Sequence, residues 1–66
     1  MNYAELIKKL RSKLLISQDE LAKILETNKV TISRWENGKF EPNYKYKRQL
    51  VSLFNEHLPE EVKTHV

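Results

Sequence analysis

A chain of 66 residues with a net charge of +3 is long enough for one small domain. It has no cysteine, which excludes disulfides and thiolate zinc sites, and no apolar run approaches the ~20 residues of a membrane-spanning helix. The balance of 12 basic and 9 acidic residues permits nucleic-acid binding without demonstrating it. The chain has only one glycine and two prolines, too few for a turn-rich β fold, so its composition favours helices.

The N-terminal segment does not have the pattern of a secretory signal, because its basic residues lie within an amphipathic repeat and no uninterrupted apolar segment follows. We therefore expect a cytoplasmic protein without membrane contact. The two histidines, His57 and His65, are interpreted as solvated surface residues rather than metal ligands. No metal and no cofactor is expected.

The first predicted helix covers residues 3–15. Its apolar residues recur at three- and four-residue steps, as on one face of a helix, at Tyr3, Leu6, Ile7, Leu10 and Leu14. Asn2, followed three residues later by Glu5, forms a capping box at its start.

A second capping box, Ser17 with Glu20, begins the next helix. A break at residues 26–28 follows, and Asn28 can cap a third helix whose buried side carries Ile32 and Trp35. That helix ends where the only glycine of the chain, Gly38, can adopt the left-handed conformation. Residues 18–37 therefore predict two short helices joined by a three-residue turn, which is a helix-turn-helix unit.

A fourth helix is predicted over residues 44–57, with Asn43 as its cap. Its apolar face is formed by Tyr46, Leu50, Leu53 and Phe54. Pro59 could begin a last short helical turn. The prediction is an all-α, compact bundle of four to five short helices, with a domain over residues 1–58 and a C-terminal tail over 59–66 that we do not expect to be ordered to Val66.

The aromatic residues are interpreted mainly as packing residues. Trp35 is assigned to the core because of its spacing from Ile32, and Tyr3, Phe40 and Phe54 are assigned to packing as well. Tyr44 fits either the edge of the core or a contact with a nucleic-acid backbone.

The sequence resembles the Cro/Xre family of phage-repressor-like DNA-binding domains. The pattern runs without a gap from Leu10 to Pro42. It includes the family's glutamine at the start of the second helix, Gln18, and its ending Trp35-Glu36-Asn37-Gly38; its apolar positions fall on Leu21, Ala22, Leu25, Ile32 and Trp35. The resemblance implies a lambda-repressor-like fold and a sequence-specific regulator of transcription, which we expect to be a repressor.

Two positions depart from the family pattern. Glu26, in the turn between the helices, and Leu15, at the end of the first helix, stand where the family often has glycine. A left-handed conformation would cost Glu26 roughly 1 kcal/mol, so we expect this turn to differ slightly and leave the angle between the helices open.

The third helix, at about 29–37, is expected to read the major groove. At 100° per residue, burying Ile32 and Trp35 turns Val30 and Arg34 outward. Arg34 can bond guanine O6 and N7 together, and Val30 can pack on a thymine methyl group. By resemblance, Lys29, Val30 and Arg34 occupy base-reading positions, and with the flanking Ser33 they form the predicted set of base contacts.

Phosphate contacts are expected on either side of this helix. Backbone amides and polar side chains at helix N-termini suit an anion. The predicted set is Gln18, Asn28, Thr31, Asn37, Lys39 and Lys45. Lys47 and Arg48 are weaker candidates, and for them and Lys45 an ordinary solvated surface is an equal alternative.

The resemblance also implies a partly buried ion pair between Arg11 and Glu36. An acid beside the core that faces a phosphate-rich surface needs such a partner, because an unpaired charge there is unfavourable.

The expected partner is double-stranded DNA with a palindromic operator, bound by a homodimer on half-sites about 34 Å apart. An apolar edge of Phe54, Leu58 and Val62 is either the dimer surface or ordinary core. Two alternatives remain open, namely an antitoxin-type or other protein-interaction module on the same scaffold and the DNA-targeting domain of a longer protein. An enzyme is not expected, because no nucleophile elbow, phosphate loop or converging set of histidine and acid is recognisable.

Overall fold

A computed structural model describes the backbone of residues 2–65 and the side chains of residues 2–62. In this range the chain forms five helices and no strand, which confirms the all-α fold class. The helices are α1 (Tyr3–Leu14), α2 (Gln18–Leu25), α3 (Lys29–Glu36), α4 (Tyr44–His57) and α5 (Pro59–His65). Val66 and the side chain of His65 lie outside the described residues, and His57 is half-buried.

The first four helices begin at polar cap residues, as the sequence predicts. The side chains of Asn2, Asn28 and Asn43 each accept a hydrogen bond from a backbone N–H three residues later, at 2.9–3.2 Å. The second capping box is complete, because Ser17 Oγ accepts from the backbone N–H of Glu20 at 3.0 Å and Glu20 Oε1 accepts from that of Ser17 at 2.9 Å. These bonds satisfy backbone donors that a helix start otherwise leaves free.

One hydrophobic core joins all five helices. α2 packs on α3, α1 packs on both α3 and α4, and α5 packs back on α4. Trp35 is buried with its ring 5.2 Å from that of Tyr46, which agrees with its assignment to the core. The buried apolar residues are Leu6, Ile7, Leu10, Leu21, Ala22, Leu25, Ile32, Trp35, Leu50, Phe54 and Val62.

The structure decides between the two interpretations of the edge formed by Phe54, Leu58 and Val62, and the dimer surface is not the right one. Phe54 is fully buried with its ring 6.3 Å from that of Tyr3, and Val62 is buried as well. Leu58 is half-buried against the same cluster. The physical reason is that α5 folds back on α4, so this edge is closed by the chain itself and the core interpretation is the right one.

The assignment of Phe40 to packing is also wrong. Its side chain is 59% exposed, whereas Pro42, two residues later, is buried. Gly38 turns the chain with a φ of +73° after α3, and the segment that follows carries Phe40 out to the surface beside Arg34. Composition does not reveal this, because an aromatic ring is on average a buried side chain.

Leu15 and Glu26, the C-caps of α1 and α2, both adopt the left-handed conformation with a φ of 58°. Glu26 thus takes the left-handed conformation, which is unfavourable for a residue other than glycine. A backbone hydrogen bond closes the turn after each of the two helices. After α2, the N–H of Thr27 donates to the carbonyl of Ala22 at 2.8 Å, and after α1, the N–H of Ile16 donates to the carbonyl of Arg11 at 3.1 Å. These bonds satisfy carbonyls that a helix end leaves free and offset the backbone strain.

Within the described part of the chain, no helix is both long enough and apolar enough to cross a membrane.

Candidate nucleic-acid interface

The exposed face of α3 carries the four residues that the sequence assigns to base contacts. Val30 is 57% exposed, Lys29 and Arg34 are exposed, and Ser33 is half-buried. Positions 29 and 33 lie one turn apart, as do 30 and 34, so the four side chains form two adjacent columns. Ile32 and Trp35 on the opposite side are buried, so the predicted orientation of the helix is the observed one.

Arg34 lies beside the ring of Phe40, which was expected to pack in the core. The central carbon of its guanidinium is 5.5 Å from the centroid of the Phe40 ring. A cation within about 6 Å of a ring centroid is attracted by the negative face of the ring. The contact restrains a long, flexible side chain at the surface. It was not predictable from the sequence, because no spacing rule relates a residue on a helix to one in the loop that follows.

Polar groups frame α3 at both ends. Asn28 Oδ1 accepts hydrogen bonds from the backbone N–H and the hydroxyl of Thr31, at 2.9 and 3.1 Å, so part of its capacity serves the helix cap. At the other end Asn37 Nδ2 lies 3.5 Å from Ser33 Oγ. Both Asn28 and Asn37 are exposed at the ends of the helix.

Gln18, the predicted phosphate contact at the start of α2, has a structural role that sequence reasoning missed. Its Nε2 donates to Glu36 Oε1 at 3.0 Å. An NH₂ group has two donors, so one remains for another partner. The signal in the sequence was that the acid Glu36 needed bonding partners, and the family resemblance identified Arg11 as one of them but not Gln18.

Glu36 is the one buried charged residue among those described, and three hydrogen bonds satisfy it. Arg11 Nε donates to its Oε2 at 2.6 Å and Arg11 Nη2 to its Oε1 at 2.9 Å, in addition to the bond from Gln18. Arg11 Nη1 also donates to the carbonyl of Ile16 at 3.3 Å. The Arg11–Glu36–Gln18 cluster therefore ties α1, α2 and α3 together at one carboxylate.

The cluster shifts the titration of both ionic groups. Burial raises the pKa of Glu36, but the hydrogen bonds from Arg11 and Gln18 and the nearby positive charge outweigh it, so the net pKa is lowered. The hydrogen bond to Glu36 raises the pKa of Arg11. The pair is thus charged on both sides at neutral pH, and the acid of α3 contributes little negative charge to the exposed face of that helix.

The distribution of ion pairs leaves positive charge around α3. Among the described residues, the lysines that pair with acids are Lys8, Lys9, Lys23 and Lys47. In the same set, none of the ion pairs includes Lys29, Arg34, Lys39 or Lys45, all of which are exposed. Lys45 Nζ lies 5.6 Å from the centroid of the Tyr46 ring. These cations are available for the phosphates of a nucleic acid.

Comparison with known proteins identifies the family of the chain. A family model described as a helix-turn-helix domain matches residues 4–66, which is nearly the whole chain. No curated protein and no solved structure matches the chain.

Proposed function

Because the chain belongs to this family of helix-turn-helix domains, we propose that it is a transcription regulator that binds duplex DNA sequence-specifically. In this proposal α3 enters the major groove, which is wide enough for one helix. The protein acts as a repressor of the Cro/Xre type in the cytoplasm, and catalysis is not part of its function.

The observation that carries the proposal is the two-sided arrangement of α3. Ile32 and Trp35 are buried, whereas Val30 and Arg34 are exposed. The exposed side of α3 carries no acidic residue that would repel the phosphates of DNA. Arg34 reads a guanine through two parallel hydrogen bonds, and Val30 packs on a thymine methyl group. Lys29 and Ser33 supply the remaining base contacts.

Phosphate contacts fix the register of the helix without reading sequence. In the proposal Asn28, Thr31 and Asn37 meet phosphates at the ends of α3. Lys39 and Lys45 neutralise further phosphates, and Gln18 uses the donor that Glu36 leaves free.

One recognition helix reads only a few base pairs, so we propose that two copies bind a palindromic operator with half-sites about 34 Å apart. The dimer surface is not the edge of Phe54 and Val62, because these residues are buried.

Selection from a pool of random duplexes, followed by sequencing, tests the proposal. We expect one enriched palindromic site, bound roughly a thousandfold or more tightly than a scrambled duplex of equal length. Affinity should fall steeply between 50 and 200 mM salt, because each neutralised phosphate releases counterions. A pool without an enriched sequence, or an affinity that salt does not change, would contradict the proposal.

A further inference from the structure

A groove between α2 and α4 shares only Lys45 with the proposed DNA interface. Ile24 and Leu53 form part of its apolar floor, and Tyr44, Lys45 and Arg48 lie along it. Ile24 is 53% exposed and Tyr44 is 75% exposed. Together with the buried Leu25, these side chains give the groove an apolar lining that a second molecule could cover.

The charge along this groove has one sign. Its ionic lining residues are Lys45 and Arg48, and the other polar ones, Gln49 and Ser52, are neutral. The guanidinium of Arg48 lies 5.8 Å from the centroid of the Tyr44 ring, which holds the cation at the margin of the groove. A ligand that fits must bring apolar side chains for the floor and negative charge for the margin.

We propose that this groove binds an acidic, amphipathic helical segment of a partner protein. Such a segment presents apolar residues on one face at i, i+3, i+4 and i+7, with carboxylates beside them. DNA carries the negative charge, but its exposed aliphatic groups are the thymine methyls inside the major groove, and these cannot cover both Ile24 and Leu53. A membrane surface fits poorly because membrane-binding helices present a broad apolar face, whereas the exposed large apolar residues of this groove are only Ile24 and Tyr44.

A second copy of the chain does not meet the requirement. Besides Ile24 and Tyr44, the exposed large apolar residues of the described chain are Leu15, Val30 and Phe40. Each has a lysine within two positions, namely Lys13, Lys29 and Lys39. The one acid within the same distance, Glu41 beside Phe40, already lies 3.8 Å from Lys47. Inserting any of the three apolar residues would bring a cation toward Lys45 and Arg48, and like charges at an interface oppose association.

Two synthetic peptides of 16 residues test the proposal on the intact chain. Both place Leu and Phe at the same helical face, and one has Glu at the other positions while the matched peptide has Lys. In a nitrogen-15 NMR titration, we expect the Glu peptide to bind saturably and shift the amide signals of Ile24, Tyr44, Arg48 and Leu53. The Lys peptide should shift none of them.

Two variants with almost equal exposure of the original side chain provide the control. Ile24→Gln removes apolar contact from the groove, and Val30→Gln does the same on α3. The first should weaken binding of the Glu peptide about tenfold and leave DNA binding unchanged. A tenfold loss corresponds to roughly half to all of the burial free energy of one aliphatic side chain. The second should do the reverse, so failure of the groove and failure of the DNA interface are distinguishable.

Several results would overturn the proposal. They are equal binding of both peptides, shifts confined to α3, the same peptide affinity in Ile24→Gln as in the parent, and shifts of the groove signals on raising the protein concentration alone. Circular dichroism of both variants should match the parent, because the two replaced side chains project into solvent. A loss of helix in Ile24→Gln would show that Ile24 supports the fold rather than a partner, and would also count against the proposal.

Discussion

Arg11 and Glu36 face each other across α1 and α3 with two parallel hydrogen bonds, Nε to Oε2 at 2.6 Å and Nη2 to Oε1 at 2.9 Å. Only 6% of the Glu36 side chain and 24% of the Arg11 side chain is exposed. A planar guanidinium matches a carboxylate in this geometry, and a charge-assisted pair of this kind is stronger than a neutral hydrogen bond. Because water barely reaches Glu36, removing Arg11 would leave a buried charge without its main partner, and this loss should destabilise the fold.

Arg11→Met should lower the free energy of unfolding by about 3 kcal/mol, because Glu36 is left buried with Gln18 as its remaining side-chain donor. Urea denaturation measures the loss. The double variant Arg11→Met, Glu36→Leu should recover most of it, because it removes the stranded charge as well. A single variant as stable as the parent would show that the pair contributes little.

The lowered pKa of Glu36 predicts a loss of stability in acid. A carboxyl whose pKa is depressed by folding stabilises the protein above its unfolded pKa of about 4.3, and that stability disappears as the pH falls through the folded pKa. Hydrogen bonds from the backbone and side chain of Ser17 lower the pKa of Glu20 in the same direction. Stability should therefore stay level from pH 7 to about 5.5 and fall below about pH 4.

Glu36→Gln isolates the contribution of Glu36 to this profile. The variant should be less stable at pH 7 and show a shallower decline in acid, as followed by thermal unfolding at each pH. Glu26→Gln is a matched control, since Glu26 is exposed and its side chain accepts no hydrogen bond among the described residues. If both variants keep the slope of the parent, Glu36 is not the group that titrates.

The two left-handed caps predict sites where glycine stabilises the fold. Leu15→Gly and Glu26→Gly should each raise the free energy of unfolding by about 1 kcal/mol, since glycine adopts a φ of 58° without the steric cost paid by other residues. Gly38→Ala should lower it by a similar amount, although an added Cβ would meet no atom within 4 Å. Chemical denaturation of the three variants checks the sign, and a destabilised Glu26→Gly would mean that its side chain makes a contact worth more than the strain.

Arg34 and Lys39 should affect DNA binding in different ways. Arg34→Ala should relax the preference at one position of each half-site, at a cost of about 1–3 kcal/mol, because it removes a base contact. Lys39→Ala should weaken all duplexes alike and reduce the dependence on salt by about one phosphate. Binding to the selected site and to single-base variants at several salt concentrations separates the two, and the opposite pattern would reverse the assigned roles.

Phe40 should support base reading through Arg34. Phe40→Leu keeps an apolar side chain but loses the aromatic face 5.5 Å from the guanidinium. We expect the preference at the Arg34 position to fall by about 0.5–1 kcal/mol, the usual strength of an exposed cation–π contact, while Phe40→Tyr retains it. Competition between the selected duplex and its single-base variant measures this preference. A higher preference in Phe40→Leu would show that the ring holds Arg34 away from the base.

The helices were predictable because their boundaries depend on neighbours in sequence. Asn28 and Asn43 cap the helices that follow them, and the three-residue step between Ile32 and Trp35 is enough to orient α3. The position of Phe40 was not predictable, because it depends on how the chain leaves Gly38 and on Pro42 being buried instead.

Contacts between distant residues were predictable only where the family resemblance supplied them. The resemblance implied the partnership of Arg11 with Glu36, but neither it nor the spacing indicated that Gln18 joins them. The burial of Val62 depends on α5 folding back, and a short apolar edge has the same pattern whether it is covered or open.

Through the carboxylate of Glu36, the first helix helps to determine the orientation of the third helix. Three separate segments converge on two oxygen atoms, so the tilt of α3 and the start of α2 are set partly by a guanidinium that stands outside the helix-turn-helix unit. Sequence changes in α1 should therefore alter the proposed operator preference without ever touching a nucleotide.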